Sequence, residues 1–245
     1  MKRRLDQLLA ERGLAESRAK AQALVMAGLV FVEGARADKP GAAVADDAAI
    51  EVRGKPHPYV SRGGVKLAHA LDRFAIDPSG KTCLDVGAST GGFTDVLLKR
   101  GAAKVYAVDV GHGQLDWSLR NDRRVTVLEK TNARYLTREQ VPDPVGLIVC
   151  DASFIGLETV LPAPMALAAP DAHLIALIKP QFEVGPEFVG KGGIVRDEAA
   201  RAAACGRIRQ WLDSQPGWRV LGLVESPIAG ADGNREFLIA ARRES

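Results

Sequence analysis

Four charged residues stand where strongly apolar segments begin or end. Asp151 closes VGLIVCD, Lys179 closes HLIALIK, Glu236 opens the run in NREFLIA, and Lys66 lies near the start of VKLAHAL. A charge at such a border is costly unless it is paired, and two amines with two carboxylates can satisfy one another. A set of this kind can also move a proton. A lysine acts as a general base where a neighbouring cation and partial burial favour its neutral form. Lys179 is assigned that part, with Lys66 orienting a hydroxyl and favouring loss of the proton from Lys179, and with Asp151 and Glu236 holding the two amines. The same four could be ordinary ion pairs at strand ends; the loop that accompanies them favours the chemical reading.

That loop is Asp85-Val86-Gly87-Ala88-Ser89-Thr90-Gly91-Gly92-Phe93, directly after the strand-like KTCLDV. Glycines at such a turn let the chain reverse and let a ligand approach the backbone. The dinucleotide pattern G-x-G-x-x-G is broken, because Gly87 and Gly92 take its first and last places while Ser89 takes the middle one. No Lys-Ser/Thr pair follows, so a phosphate loop of the ATPase kind is excluded as well. An adenosine cofactor without phosphates fits better, and S-adenosylmethionine is the expected one. Asp109 closes KVYAVDV 22 residues after Gly87, close to the roughly 20 expected for a carboxylate that accepts ribose hydroxyls. Asp85 is placed to orient the methionine amino group. With that cofactor the charged set gains a chemical purpose, because a ribose 2′-hydroxyl is a weak nucleophile and must lose its proton as it attacks a sulfonium methyl.

The elements that must position these residues follow from periodicity. From KTCLDV onward, strands alternate with helical segments and end in the pair WRVLGLVES and REFLIAARR. This predicts an α/β, doubly wound, Rossmann-like sheet with an antiparallel last strand, and a ligand beyond the carboxyl ends of its strands. One helix is expected around Leu157–Leu167, a strand over His173–Lys179 and a long helix around Asp197–Trp211. The first sixty residues read differently, as a small α+β module: two short helices within Leu5–Val32, Ser17 as the N-cap of the second, a break at Gly28, and short strands before Glu33-Gly34 and at Ala49–Val52. The domain boundary is set at residue 60, giving 1–60 and 61–245.

The formal charge of +3 conceals an asymmetry: residues 1–66 carry 12 Lys+Arg against 8 Asp+Glu, and the remaining residues 21 against 22. Arg3, Arg4, Arg18 and Lys20 cluster at the starts of the two small helices, and Lys39, Arg53 and Lys55 come from the turn and strand region, a pattern suited to RNA phosphates. Cys83, Cys150 and Cys205 have neither metal-ligand nor paired spacing, so no metal is expected and reduced thiols in the cytoplasm are the reading. No apolar run approaches the roughly 18 to 20 residues of a membrane span.

The segment RLDQLLAERGLAESRAKAQALVMAGLVFVEG, followed by DKPGAAVADDAAIEV, resembles the small RNA-binding module named after ribosomal protein S-four, with Glu33 where Asn is usual. SRGGVKLAHAL, LDVGASTGGFTDVLL, TNAR, CDASFIGL, LIKPQFEVG and NREFLI resemble the TlyA or hemolysin-A family, ribosomal RNA (cytidine-2′-O)-methyltransferases in which that module precedes an FtsJ-like methyltransferase domain. The resemblance implies S-adenosylmethionine as cofactor, ribosomal RNA or a ribosomal subunit as partner, and Lys66, Asp151, Lys179 and Glu236 as the catalytic set. It also implies that Asn132 lies near the adenine, beside Asp85, Gly87, Ser89, Gly91, Gly92, Phe93 and Asp109. Phe154 and Phe182 flank the cleft strands and are candidates to stack on a splayed base. The first module starting at about residue 3 and the last strand ending a few residues before the end of the sequence resemble the shorter family type, which implies action on large-subunit RNA, with small-subunit RNA left open as a further substrate. Two alternatives stand beside this reading: a membrane-active cytolysin, suggested by the family's older name, and a non-catalytic RNA-binding regulator.

Overall fold

Apolar residues of alternating direction become strands and those of helical spacing pack over them, in two compact units, Met1–Pro58 and Tyr59–Ser245. The computed structural model describes residues 2–15, 17–53, 57–230 and 233–244. Lys55, one of the cations expected to meet RNA, lies outside the described residues.

In the N-terminal unit, β1 (Lys2–Arg4) leads into α1 (Leu5–Glu11) and α2 (Arg18–Met26), followed by β2 (Val30–Val32), β3 (Ala35–Arg36), β4 (Ala43–Ala45) and β5 (Ile50–Val52). Strand β1 pairs with β4, and β2 lies between β3 and β5. Leu5, Leu9, Ala21, Val25 and Val30 form the small core. The Ser17 hydroxyl accepts the Lys20 amide at 3.2 Å, which caps α2 as its sequence position predicts. Gly28 ends that helix at a φ of +70°, a conformation open to glycine.

The second unit begins with α3 (Gly63–Phe74) and continues β6 (Thr82–Val86), α4 (Gly92–Lys99), β7 (Lys104–Val108), α5 (Trp117–Arg120), β8 (Val125–Leu128), β9 (Val145–Cys150), α6 (Leu157–Val160), α7 (Pro162–Ala166), β10 (Ala168–Ile178), α8 (Glu198–Ser214), β11 (Trp218–Glu225) and β12 (Phe237–Arg243). The sheet order is β11-β12-β10-β9-β6-β7-β8. Only β12 runs against its neighbours, pairing antiparallel with both β10 and β11, so the expected doubly wound sheet with an antiparallel last strand is what forms. The chain winds outward in opposite directions from β6 and β9, and their adjacent carboxyl ends open the crevice in which such sheets bind ligands.

Two expected elements differ in extent. The helix expected over Leu157–Leu167 is two short ones, because Pro162 lacks the amide hydrogen that a continuous helix needs there and instead starts a new first turn. Strand β10 begins at Ala168, five residues before the expected start, through a register shift between Ala168 and His173 that carries Pro170 and Asp171 at the sheet margin. Apolar residues cover both faces of the central strands. The three cysteines are buried and free, and burial pushes the thiols of Cys83 and Cys150 up to about 12, so both stay protonated at neutral pH.

Candidate functional site

The carboxyl end of β6 delivers Asp85 and then the glycine turn. Asp85 is fully buried, accepts the Thr94 hydroxyl at 2.7 Å on Oδ2, and leaves Oδ1 buried with no partner. Burial, aided by the charge of Asp151 and opposed by the hydrogen bond from Thr94, pushes its carboxyl up to about 7. Gly87 turns the chain at a φ of +82°, where a β-carbon would stand 2.9 Å from Cα of Ala152. The turn therefore needs glycine for its conformation and for its closeness to the loop after β9. Ser89, in the place of the missing middle glycine, nonetheless holds a φ of +47°, an uncommon conformation for a residue with a side chain. Gly91 holds a φ of +94°, where glycine is favoured, and a β-carbon on Gly92 would meet the Ser61 hydroxyl and stand 3.0 Å from the backbone nitrogen of Gly64.

Asp109, just past the end of β7, accepts the Ser89 amide on Oδ2 and the Gly111 amide on Oδ1, each at 2.7 Å. These bonds fix the carboxylate while each oxygen keeps a second lone pair for an incoming hydroxyl. Asn132 caps the following 3-10 turn by accepting the Arg134 amide at 3.1 Å. Together they border a cavity of about 660 Å³ walled by Val86, Val108, Ala133, Ala152, Ile155 and Val160. Its size is that of an ordinary small-ligand site. An apolar slot with a fixed carboxylate at one end fits an adenosine, whereas Asp85, expected at the amino group of the ligand, is fully buried behind the turn and borders neither this cavity nor the one beside it. The slot thus suits the adenosine part of the cofactor inferred from the loop.

A second cavity of about 540 Å³ adjoins the first, and both are bordered by Gly87, Ser89, Asp151, Ser153 and Phe154. The four charged residues meet here. Lys66, on the first turns of α3, lies 2.5 Å from Oε2 of Glu236, which precedes β12; the lysine is 6% and the glutamate 3% exposed. Lys179, just after β10, lies 2.8 Å from Oδ1 of Asp151, just after β9, and also donates to the Asp151 carbonyl at 3.1 Å and to the Ser153 hydroxyl at 2.8 Å. Ser153 carried no signal in the sequence, being one hydroxyl in an irregular loop. Phe154 is 89% exposed at a φ of +64°, its ring centroid 5.0 Å from that of Phe182. Gly92 and Phe93 border this second cavity, and Phe93 is otherwise a core residue at 3% exposure.

In the N-terminal unit, most of the cations singled out by sequence are already engaged. Asp6, fully buried, accepts Arg4 at 3.0 and 2.9 Å, Arg18 at 3.1 Å and Gln22 at 2.8 Å. The Arg4 hydrogen bonds lead in holding its carboxyl well below the usual carboxylate range, against burial. Arg3 pairs with Glu11 at 2.5 Å and Asp46 at 3.5 Å, and Arg53 pairs with Glu51 at 3.0 Å while lying 3.8 Å from the centroid of the Phe31 ring. Lys20 and Lys39 are exposed. Arg4 and Arg18 keep about half of their side chains exposed, at 47% and 50%, so each is oriented by Asp6 while presenting an outer face.

Comparison with known proteins follows the same division. The model of the FtsJ-like methyltransferase family matches residues 59–243, and that of the S4 domain matches residues 3–50. The chain is 51% identical over 246 residues to the 16S/23S rRNA (cytidine-2′-O)-methyltransferase TlyA of Mycobacterium tuberculosis, covering 99% of this chain and 90% of that protein. It is 44% identical over 237 residues to hemolysin A of Brachyspira hyodysenteriae, covering 96% and 98% of the two. Among solved structures, a chain described as a candidate hemolysin from Streptococcus thermophilus matches with a TM-score of 0.77 at 42% identity, covering 100% of this chain and 89% of that one.

Proposed function

We propose a reaction for this chain on the premise that it belongs to the FtsJ-like methyltransferase family, with an S4 domain preceding the enzyme domain. The reaction is S-adenosylmethionine-dependent 2′-O-methylation of cytidine ribose in ribosomal RNA, the activity for which its relative of 51% identity is named. That relative's name covers both ribosomal subunits, so both RNAs are candidate substrates. Action on ribosomal RNA puts the proposed site of action in the cytoplasm. Among the described residues, no helix is long and apolar enough to cross a membrane, and the cytolysin reading gains no support from the helices.

One observation carries the reading: a cavity suited to adenosine and a cavity holding two lysine–carboxylate pairs share the wall formed by Gly87, Ser89, Asp151, Ser153 and Phe154. When bound, S-adenosylmethionine supplies an electrophilic methyl group on its sulfonium. The chain's own residues do the rest. Asp109 and Asn132 bind the adenosine end. Gly87, Ser89, Gly91 and Gly92 shape the turn that passes beneath the ligand, with Phe93 anchoring it to the core.

Lys179, steered by Asp151 and Ser153, first gives up a proton to solvent and then, as the neutral amine, accepts the proton of the ribose 2′-hydroxyl as the oxygen attacks. Lys66, held by Glu236, orients that hydroxyl. Phe154 and Phe182 offer ring faces on which an unstacked base rests. The N-terminal unit, most of it the S4 domain, supplies RNA affinity through Arg3, Arg4, Arg18, Lys20, Lys39, Arg53 and Lys55.

The test is Lys179→Ala in the full chain. The variant is expected to bind S-adenosylhomocysteine and ribosomal RNA like the parent while methyl transfer falls by about 10²-fold or more. Full activity in that variant would overturn the assignment of the base.

A further inference from the structure

The cavity that holds the two lysine–carboxylate pairs is also lined by Arg62, a third cation. Lys66 is matched by Glu236 at 2.5 Å and Lys179 by Asp151 at 2.8 Å. Every other side chain lining the cavity is uncharged. Arg62 is exposed, and among the described residues no carboxylate lies within ion-pair distance of it. Arg62 is therefore the one cation lining the cavity with no described carboxylate at ion-pair distance, whichever protonation state Lys179 takes.

The position of that charge is as informative as its sign. Arg62 is the N-cap residue of α3 and already has helical dihedrals, with a φ of −61° and a ψ of −22°. Lys66 is four residues on, one turn along the same helix face, about 5–6 Å away between β-carbons. A ribose 2′-hydroxyl in an RNA strand has the same need for two neighbouring groups. The hydroxyl itself is neutral and must meet the lysines, while the phosphodiester on the adjacent 3′ carbon carries one full negative charge a few ångströms away. A guanidinium presents paired N–H donors that match two phosphate oxygens. Lys66 and Lys179 cannot serve that phosphate without leaving Glu236 or Asp151 as an unpaired carboxylate.

We propose that Arg62 is the anchor for the phosphodiester next to the target ribose, the one contact in this cavity that holds the RNA strand by its charge. This rests on the methyltransferase reading above. Arg62 is a positioning residue here: it touches no reacting atom, and it sets the register of the strand so that the 2′-hydroxyl reaches Lys179. It does not border the cavity assigned to adenosine, so cofactor affinity is independent of it.

The experiment measures kcat/KM for methyl transfer to ribosomal RNA by the full chain, Arg62→Ala and Arg62→Lys, at 50 and 200 mM salt. One phosphate contact on a single strand contributes a slope of about 0.7 to 0.9 to the logarithmic salt dependence. The parent's advantage over Arg62→Ala should therefore be roughly threefold greater at 50 mM than at 200 mM. Arg62→Lys keeps the charge and should restore the parental slope with a lower kcat/KM, because it loses the paired donors. S-adenosylhomocysteine affinity and the melting temperature should be unchanged in both variants. An Arg62→Ala variant whose disadvantage is the same at both salt concentrations overturns the proposal, and so does one with parental kcat/KM. If the parent itself transfers no methyl to RNA, it is the underlying reading that fails, whereas an active parent with a salt-independent Arg62 effect fails this inference alone.

Discussion

Replacing Lys66 by methionine separates a desolvated ion pair from a surface one. Lys66 and Glu236 have side chains only 7% and 3% exposed, so removing the amine leaves a carboxylate in a site that water scarcely reaches. Stranding one partner of a buried pair costs about 3 to 5 kcal/mol. In a unit spanning Tyr59–Ser245, each kcal/mol lowers the melting temperature by about 2 to 4 °C. The expected drop for Lys66→Met is therefore roughly 6 to 20 °C. The double variant Lys66→Met/Glu236→Leu should recover most of it, since replacing both members of a buried pair by apolar groups is nearly neutral or stabilising. Lowering the pH should also narrow the gap between Lys66→Met and the parent, because a protonated Glu236 needs no cation. Lys179→Met should cost much less, since its partner Asp151 keeps 21% of its side chain exposed to the cavity. Thermal unfolding followed by circular dichroism, read beside methyl transfer, resolves all four proteins. Both lysine variants should lose activity, but only Lys66→Met should lose much stability. A Lys66→Met protein that melts within about 2 °C of the parent would show that the pair is not desolvated and that Lys66 and Glu236 are not placed as described.

Two further outcomes follow from the cofactor turn. Asp85, with its carboxyl at about 7 in the ligand-free protein, is raised above an unfolded value near 4. Its contribution to stability is thus complete below about 4 and is lost as pH rises through about 7. Asp85→Asn should remove that part of the stability–pH slope. If Asp85 meets the cofactor's ammonium as a carboxylate, S-adenosylhomocysteine binding at pH 6 should release close to one proton, seen as a dependence of calorimetric heat on buffer ionisation enthalpy; no proton release would sink the assignment. Gly87→Ala combines a left-handed conformation with a backbone atom 2.9 Å from the new β-carbon. It should abolish cofactor binding, whereas Gly192→Ala, at a φ of +78° with open space around it, should cost only the conformational strain of about 1 to 2 kcal/mol and leave that binding intact.

Much of the enzyme unit can be read from its sequence because its signals are local. A glycine turn follows an apolar strand, an acidic residue closes the next strand, and lysine or aspartate ends an apolar run; each needs only a few neighbouring residues to be seen. The Ser17 cap is legible for the same reason. What is hidden depends on residues far apart in the chain. Nothing near Lys66 reveals that its partner is Glu236, 170 positions away, or that Asp151 takes Lys179. The exposed cations of the first unit show the same limit. Arg4 and Arg18 read as free phosphate ligands until the fold brings Asp6 between them. Strand β10 begins early because a bulge accommodates Pro170 and Asp171, whose local preference is for a turn.

The central claim is that the methyl group is delivered to a ribose oxygen of cytidine. Ribosomal RNA of each subunit, incubated with the full chain and S-adenosylmethionine labelled on its methyl group, can be digested to nucleosides and separated by chromatography with mass detection. The label is expected in 2′-O-methylcytidine and to be absent when Lys179→Ala replaces the parent. Label on a base, on a ribose other than that of cytidine, or on no RNA nucleoside despite measured cofactor binding, would contradict the account.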